Sequence, residues 1–244
     1  MAKLRAALFL LNLALSLVVF VPVLLLTVVL PVDYRFYFAR LWIRYTLASL
    51  SVIGGISVEL RGLEHISRGP VIYFIKHQST LETIVLQGLL PPFSWVLKKQ
   101  VFYIPLFGWG LAILKPIAID RTAGASAVTQ VKEQGLARLA EGRSISIFPE
   151  GTRKVPGSPP NYKIGGGVLA EAADVPIVPV AVNTGLFWPP KSLLIGRRGK
   201  AVIEFGPPMD VGGLDAAEIT AKAQAWIEPN TDRLLEEGRA RLGH

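Results

Sequence analysis

The segment from Val71 to Leu90, VIYFIKHQSTLETIVLQGLL, constrains the fold more than any other part of the chain. Val71 to Ile75 carries no charge and runs straight into Lys76 and His77, the pattern of a buried strand that delivers a histidine to its C-terminal mouth. Ser79 stands three residues before Glu82 and ahead of an apolar run ending at Leu90, which is the signature of a capping box opening a helix. Strand, histidine and helix start in direct succession are how α/β proteins build sites on the rim of a sheet.

This spacing puts the Glu82 carboxylate in the first helical turn and the His77 imidazole just before it. An imidazole with one nitrogen held by a carboxylate offers the other as a general base near neutral pH. In the plainer alternative, Glu82 closes the capping box with Ser79 and His77 is a loop residue. Ser79 itself reads as the helix N-cap rather than a nucleophile.

A second constraint comes from the N-terminal part. Ala6 to Leu30 carries no charge, and as a helix it would reach ~37 Å, enough for the ~30 Å hydrocarbon core of a bilayer. The run is too long for a signal-peptide core and no Ala-x-Ala site follows it. Asp33 to Ser51 predicts a second helix, with Asp33, Tyr37, Arg40 and Arg44 on one face and aromatic residues elsewhere, suited to the membrane interface; a core helix is the alternative. Gly54-Gly55 ends it. The expected organisation is therefore residues 1–55 as membrane-anchoring helices and 56–244 as an α/β domain. With 51% hydrophobic residues and a net charge of +8, the chain suits contact with a lipid bilayer and with anionic headgroups or phosphates.

The domain reads as alternating strands and helices. Further strands are predicted at Ile56 to Arg61, Phe93 to Leu97, Pro116 to Ile119, Ser144 to Phe148, Ile177 to Val182 and Lys200 to Phe205. Pro179 within its strand implies an edge or bulged position. Helices are predicted at Ala125 to Glu141, near Val168 to Ala173 after the glycines Gly165 to Gly167, and from the capping box Asp215 to Glu218 onward, interrupted at Pro229. Lys76-His77, Asp120-Arg121 and Pro149 to Arg153 each follow an apolar run, so these loops can share one rim. A base beside several cations suits a phosphate ester, because the guanidinium fork meets phosphate oxygens two at a time.

Several classes are excluded. The chain has no cysteine, which removes disulfides, thiolate nucleophiles and cysteine metal sites together. It has no Gly-x-Ser-x-Gly elbow, no Walker loop and no dinucleotide fingerprint. Its three histidines form no His-Glu-x-x-His pattern, so no metal is expected. Aromatic residues are not interleaved with basic ones as nucleic-acid platforms require.

Four blocks, Lys76 to Glu82, Lys115 to Arg121, Phe148 to Arg153 and Val178 to Val182, resemble in order the glycerolipid acyltransferase family of membrane-bound 1-acylglycerol-3-phosphate acyltransferases of bacterial type. The resemblance covers about Val58 to Asn183. The family's first block is usually His-x4-Asp, where this chain has Glu82, and Ala118 stands where the second block usually has Phe.

The resemblance implies a mixed, mostly parallel sheet flanked by helices, preceded by a two-helix membrane anchor. It implies transfer of a fatty acyl group from a thioester, acyl-CoA or acyl carrier protein, to the 2-hydroxyl of lysophosphatidic acid, giving phosphatidic acid. His77 would be the base and Glu82 its partner, without a cofactor or covalent intermediate. Arg121 and Arg153 would bind phosphate, with Lys98 or Lys99 as extra point charge, while Glu150 and Gly151 would shape the glycerol site and Thr152 beside them would also bind substrate. A monomer on the bacterial cytoplasmic membrane, its domain facing the cytoplasm, is expected. Glycerol 3-phosphate, another lysophospholipid or a lipid A precursor remain alternative acceptors, and a catalytically silent lipid-binding scaffold is the alternative class.

Overall fold

The computed structural model describes residues 2–243, with the side chain of Arg121 excepted. Its centre is a seven-stranded sheet in the order β1-β7-β6-β2-β5-β3-β4. The strands are β1 (Ile56–Arg61), β2 (Ile72–Ile75), β3 (Phe93–Lys98), β4 (Ile117–Ile119), β5 (Ser144–Ile147), β6 (Ile177–Val182) and β7 (Gly199–Phe205). Neighbours from β6 through β4 run parallel, β1 and β7 are parallel to each other, and the β6–β7 pair is antiparallel. The expected mixed, mostly parallel architecture is present.

β2 is apolar throughout because helices cover both of its faces. Tyr73 and Ile75 belong to the core beneath α1 (Ala2–Leu26), α2 (Val32–Val52) and α3 (Leu81–Leu89). Ile72 and Phe74, pointing the other way by strand alternation, join the core beneath α5 (Ala125–Ala140), α6 (Gly165–Ala173) and α7 (Ala216–Arg241). A short α4 (Phe107–Ala112) packs near α1. Each fully buried large side chain contributes about 1.5–3 kcal/mol relative to exposure, so this double-sided burial fixes the register of β2 and hence the position of the residue after Lys76.

Several details differ from the sequence expectations. Pro179 lies in β6, which sits between β7 and β2 instead of at an edge. The β6–β7 ladder begins only at Val180, so the missing N–H of Pro179 falls just beyond its end, where Gly206 donates to the Pro179 carbonyl at 2.8 Å. Gly165 to Gly167 do not precede α6 but form its first turn. They allow close approach, since a Cβ on Gly166 would meet the Phe74 ring at 2.7 Å and one on Gly167 the Ala216 carbonyl oxygen at 2.1 Å. The C-terminal helix does start in the Asp215–Glu218 capping box, yet it runs on through Pro229 without interruption.

α2 is more deeply docked than an interfacial helix. Phe36, Ala39, Ile43, Thr46 and Leu50 form a buried stripe, while Tyr34, Tyr37, Leu41 and Tyr45 stay exposed. α1 is the one described helix long and apolar enough to cross a membrane. It too packs on the domain, through Phe9 edge-on to Trp188, and it is tied to α2 by a hydrogen bond from Trp42 Nε1 to Ser16 Oγ at 3.0 Å. The core on this face therefore takes residues from both sides of the boundary expected at residue 55.

Candidate active site

The parallel strands bring the mouths of β2, β3, β4 and β5 to one rim. His77 follows β2 there. Its Nδ1 lies 2.9 Å from Glu82 Oε1. The same oxygen accepts the backbone N–H groups of Gln78 at 2.8 Å and Ser79 at 2.6 Å, and Glu82 is fully buried. Ser79 Oγ accepts from Leu81 N at 3.1 Å, one residue earlier than a capping box requires. The carboxylate thus ties down the start of α3 and holds the imidazole at once. The extra methylene of Glu over Asp does not prevent this reach.

The other oxygen of Glu82 is also engaged: Thr184, just beyond the mouth of β6, donates from Oγ1 to Oε2 at 2.6 Å. Gly185 N donates to Gln78 Oε1 at 3.3 Å. The loop after β6 therefore braces the His77 turn from beneath.

The segment after β5 braces it from the other side. Phe148 stacks on the His77 ring with centroids 3.7 Å apart, and Trp95 stacks on Phe148 in turn at 5.1 Å. Lys154 N donates to the His77 carbonyl at 2.8 Å. Glu150 Oε2 accepts from His77 N at 3.4 Å, and its Oε1 accepts from Lys76 Nζ at 3.0 Å. Lys76, itself buried, also reaches Glu228 of α7 at 2.8 Å, and Tyr162 donates to that carboxylate at 2.8 Å. Burial pushes the Glu150 carboxyl above its ordinary value against the opposing pull of Lys76, and burial followed by the Glu228 charge raises the Tyr162 phenol.

His77 lines a cavity of about 290 Å³ together with Trp95, Lys98, Phe148, Arg153 and Lys191. Arg153 Nε is buried and has no hydrogen-bond partner among the described residues, which leaves donor capacity beside the cavity. Gly151 and Thr152 line this space and also an adjoining, mostly apolar cavity of about 430 Å³ beneath α5. Gly151 has φ of 65°, a left-handed turn that glycine adopts without strain and that swings the chain from Glu150 toward Arg153. Glu150 reaches the second cavity's wall but spends one oxygen on Lys76.

Of the other sequence candidates, Lys99 begins an exposed turn and does not line either cavity. Its charge and that of Lys98 reach Asp120, whose carboxyl lies below its ordinary value chiefly because Thr122 donates to it through both hydroxyl and backbone. Arg121 opens the turn two residues after β4, a strand three places from β2 and so roughly 14 Å across the sheet; its side chain lies outside the described residues. Sequence reading missed Thr184, Trp95 and Lys191. Nothing in the local pattern distinguishes Lys191 from surface lysines, whereas Phe148 is the first residue of the Phe148 to Arg153 motif, a signal by which it can be found.

Residues 57–183 match the family model described as Acyltransferase. The chain is 40% identical over 203 residues to the 1-acyl-sn-glycerol-3-phosphate acyltransferase of Pseudomonas aeruginosa, covering 82% of this chain and 79% of that protein. This chain belongs to the acyltransferase family. It is an enzyme of that family by the same likeness, with the Saccharomyces cerevisiae 1-acyl-sn-glycerol-3-phosphate acyltransferase 31% identical over 75% of the chain and 62% of the yeast protein. The acyltransferase shares its fold with the crystal structure of the 1-acyl-sn-glycerophosphate (LPA) acyltransferase PlsC from Thermotoga maritima, at a TM-score of 0.79, 21% identity and 98% coverage of each chain.

Proposed function

We propose that this acyltransferase moves a fatty acyl group from a thioester to the 2-hydroxyl of lysophosphatidic acid. The observation that carries the reading is the 2.9 Å contact between His77 Nδ1 and Glu82 Oε1 at the wall of a cavity that also holds Lys98, Arg153 and Lys191. With Nδ1 held, Nε2 takes the hydroxyl proton as the acceptor oxygen attacks the thioester carbonyl. The C–S bond then breaks and the imidazolium returns the proton to the departing thiolate. Buried Glu82 keeps the ring in one tautomer and stabilises its charged form. The cations suit the acceptor phosphate, Arg153 through its fork and the lysines as point charges. Glycerol 3-phosphate would satisfy the same cations, but the relatives named for 1-acyl-sn-glycerol-3-phosphate favour the lysophospholipid.

Two observations support docking on one leaflet. α1 exposes Leu4, Leu8, Leu11, Leu15, Val19 and Leu26 along its length, a lipid-facing stripe. Both of its ends also touch the domain: Arg5 donates to the Gly196 carbonyl near one end, and Val21 and Leu24 pack on Gly110 near the other. A helix crossing the bilayer would set those two contacts on opposite sides of ~30 Å of hydrocarbon.

Labelled lysophosphatidate offered with acyl-CoA and with acyl carrier protein thioester in turn tests the reaction. His77→Ala is expected to lower turnover by ~10² or more with the better donor. Turnover near that of the parent enzyme in this variant would sink the mechanism.

A further inference from the structure

At the N-terminal end of α1, its first turn faces the loop between β6 and β7 across a cleft of about 770 Å³. Lys3, Arg5, Arg197 and Arg198 line it, with Leu194 and Leu242 among the apolar wall, and no described residue in the lining carries a carboxylate. None of these residues lines the cavity at His77.

Arg5 forms the inner wall. One guanidinium nitrogen donates to the Gly196 carbonyl, while Nε is shut off from solvent without a hydrogen-bond partner among the described residues. Burial, and then the charge of Arg198, hold this guanidinium below its ordinary value. Like charges have thus been brought together around a partly desolvated donor, an arrangement that an anion entering the cleft would relieve. Leu4, Leu8, Leu193 and Leu194 are exposed at the same end of the molecule, Leu193 to 74%, and the first two begin the apolar stripe of α1. Cations grading into apolar surface match the boundary between lipid headgroups and acyl chains.

We propose that this cleft binds the phosphate group of an anionic phospholipid of the bilayer, seating the N-terminal end of α1 at headgroup depth. The inference rests on the one-leaflet docking proposed above and deepens it by assigning a discrete lipid site apart from the catalytic cavity. The ligand is a membrane lipid and not a soluble phosphate, because the apolar stripe continues directly from the cationic lining.

The test uses the full chain in sedimentation with vesicles of phosphatidylcholine alone and of phosphatidylcholine mixed with phosphatidylglycerol. Lys3 and Arg198 are exposed, so Lys3→Gln/Arg198→Gln is expected to keep the fold and the turnover of detergent-dispersed substrate. It should weaken binding to the anionic vesicles by about twenty-five-fold, on the order of five-fold per charge removed, and leave binding to neutral vesicles unchanged. Lys132→Gln/Lys222→Gln removes the same charge from α5 and α7 and should cost under about two-fold at physiological salt. Equal losses in the two double variants would overturn the cleft in favour of diffuse attraction to the net charge. So would suppression of vesicle binding by inorganic phosphate at constant ionic strength, or a raised acyl-donor KM in detergent, which would move the cleft to the donor's phosphates. A parent protein that binds both kinds of vesicle equally overturns the cleft but keeps the docking, whereas binding to neither removes both.

Discussion

Thr184 Oγ1 lies 2.6 Å from Glu82 Oε2, and this buried bond links the end of β6 to the carboxylate that holds His77. Through it, a residue that lies beyond the last sequence motif and does not line the cavity at His77 bears on the His77 imidazole.

Thr184→Val should therefore act on the reaction through Glu82. Loss of a hydrogen bond to a charged group costs about 1.5–3 kcal/mol, or roughly ten- to a hundred-fold in kcat if felt fully in the transition state. A carboxylate that has lost the donor fixing Oε2 holds the imidazolium less firmly, so the acidic limb of kcat/KM should move to lower pH. Thr184→Ser should restore both. A purely structural role would lower the melting temperature in the valine variant and leave kcat and the pH profile in place.

The sequence made His77 and Glu82 legible as a pair because both sit within one strand-to-helix turn, where spacing dictates geometry. It left open whether Glu82 caps the helix or holds the His77 imidazole, and the structure joins the two contacts in one side chain, with Oε1 shared among Gln78 N, Ser79 N and His77 Nδ1. Thr184, Trp95 and Glu228 were not legible, since each reaches the site from a different strand or helix and no local pattern encodes such distant contacts. Pro179 misled for a related reason. Its tolerance depends on where the ladder to β7 begins, a property of the partner strand.

Lys76 lies between buried Glu150 at 3.0 Å and partly exposed Glu228 at 2.8 Å, and is itself almost wholly shielded from water. Lys76→Met would leave two carboxylates facing each other without their cation. The expected loss is about 3–5 kcal/mol in urea unfolding. Adding Glu150→Gln removes one of the stranded charges and should recover part of that loss. If Lys76→Met alone is as stable as the parent, the triad does not hold the segment after β5 against the His77 turn.

Acid sensitivity should arise at the β1 edge of the sheet. Arg61 hydrogen-bonds Glu59 at 2.7 Å and Glu237 of α7 at 2.9 Å, and these bonds are the leading reason that both carboxyls lie below their ordinary values. Folded values below unfolded ones mean that the stabilisation is fully present above about pH 4.3, the unfolded value, and fades as pH falls through the lower folded ones. Unfolding free energy measured against pH should therefore drop more steeply below about pH 4.3 in the parent than in Arg61→Gln. The difference should shrink in high salt, because these groups are partly exposed.

The path of α1 gives the topology a direct test. Arg5 is bonded to the loop that contains Gly196, Tyr45 OH donates to Asn12 Oδ1 at 2.6 Å, and Leu24 packs near Gly110, so the helix follows the domain from end to end. Detaching it to cross the bilayer would expose Phe9, now buried against Trp188, and strand the Arg5 guanidinium on the side away from its carbonyl partner. Native cysteine is absent, so single cysteines can be placed at Ala2 and at Ser192 in otherwise unchanged enzyme. Both should react with an impermeant reagent from the same side of sealed vesicles, because Ala2 lines one wall of a cleft whose other wall follows Ser192 in the chain. Labelling from opposite sides would establish α1 as a spanning helix and overturn the one-leaflet arrangement.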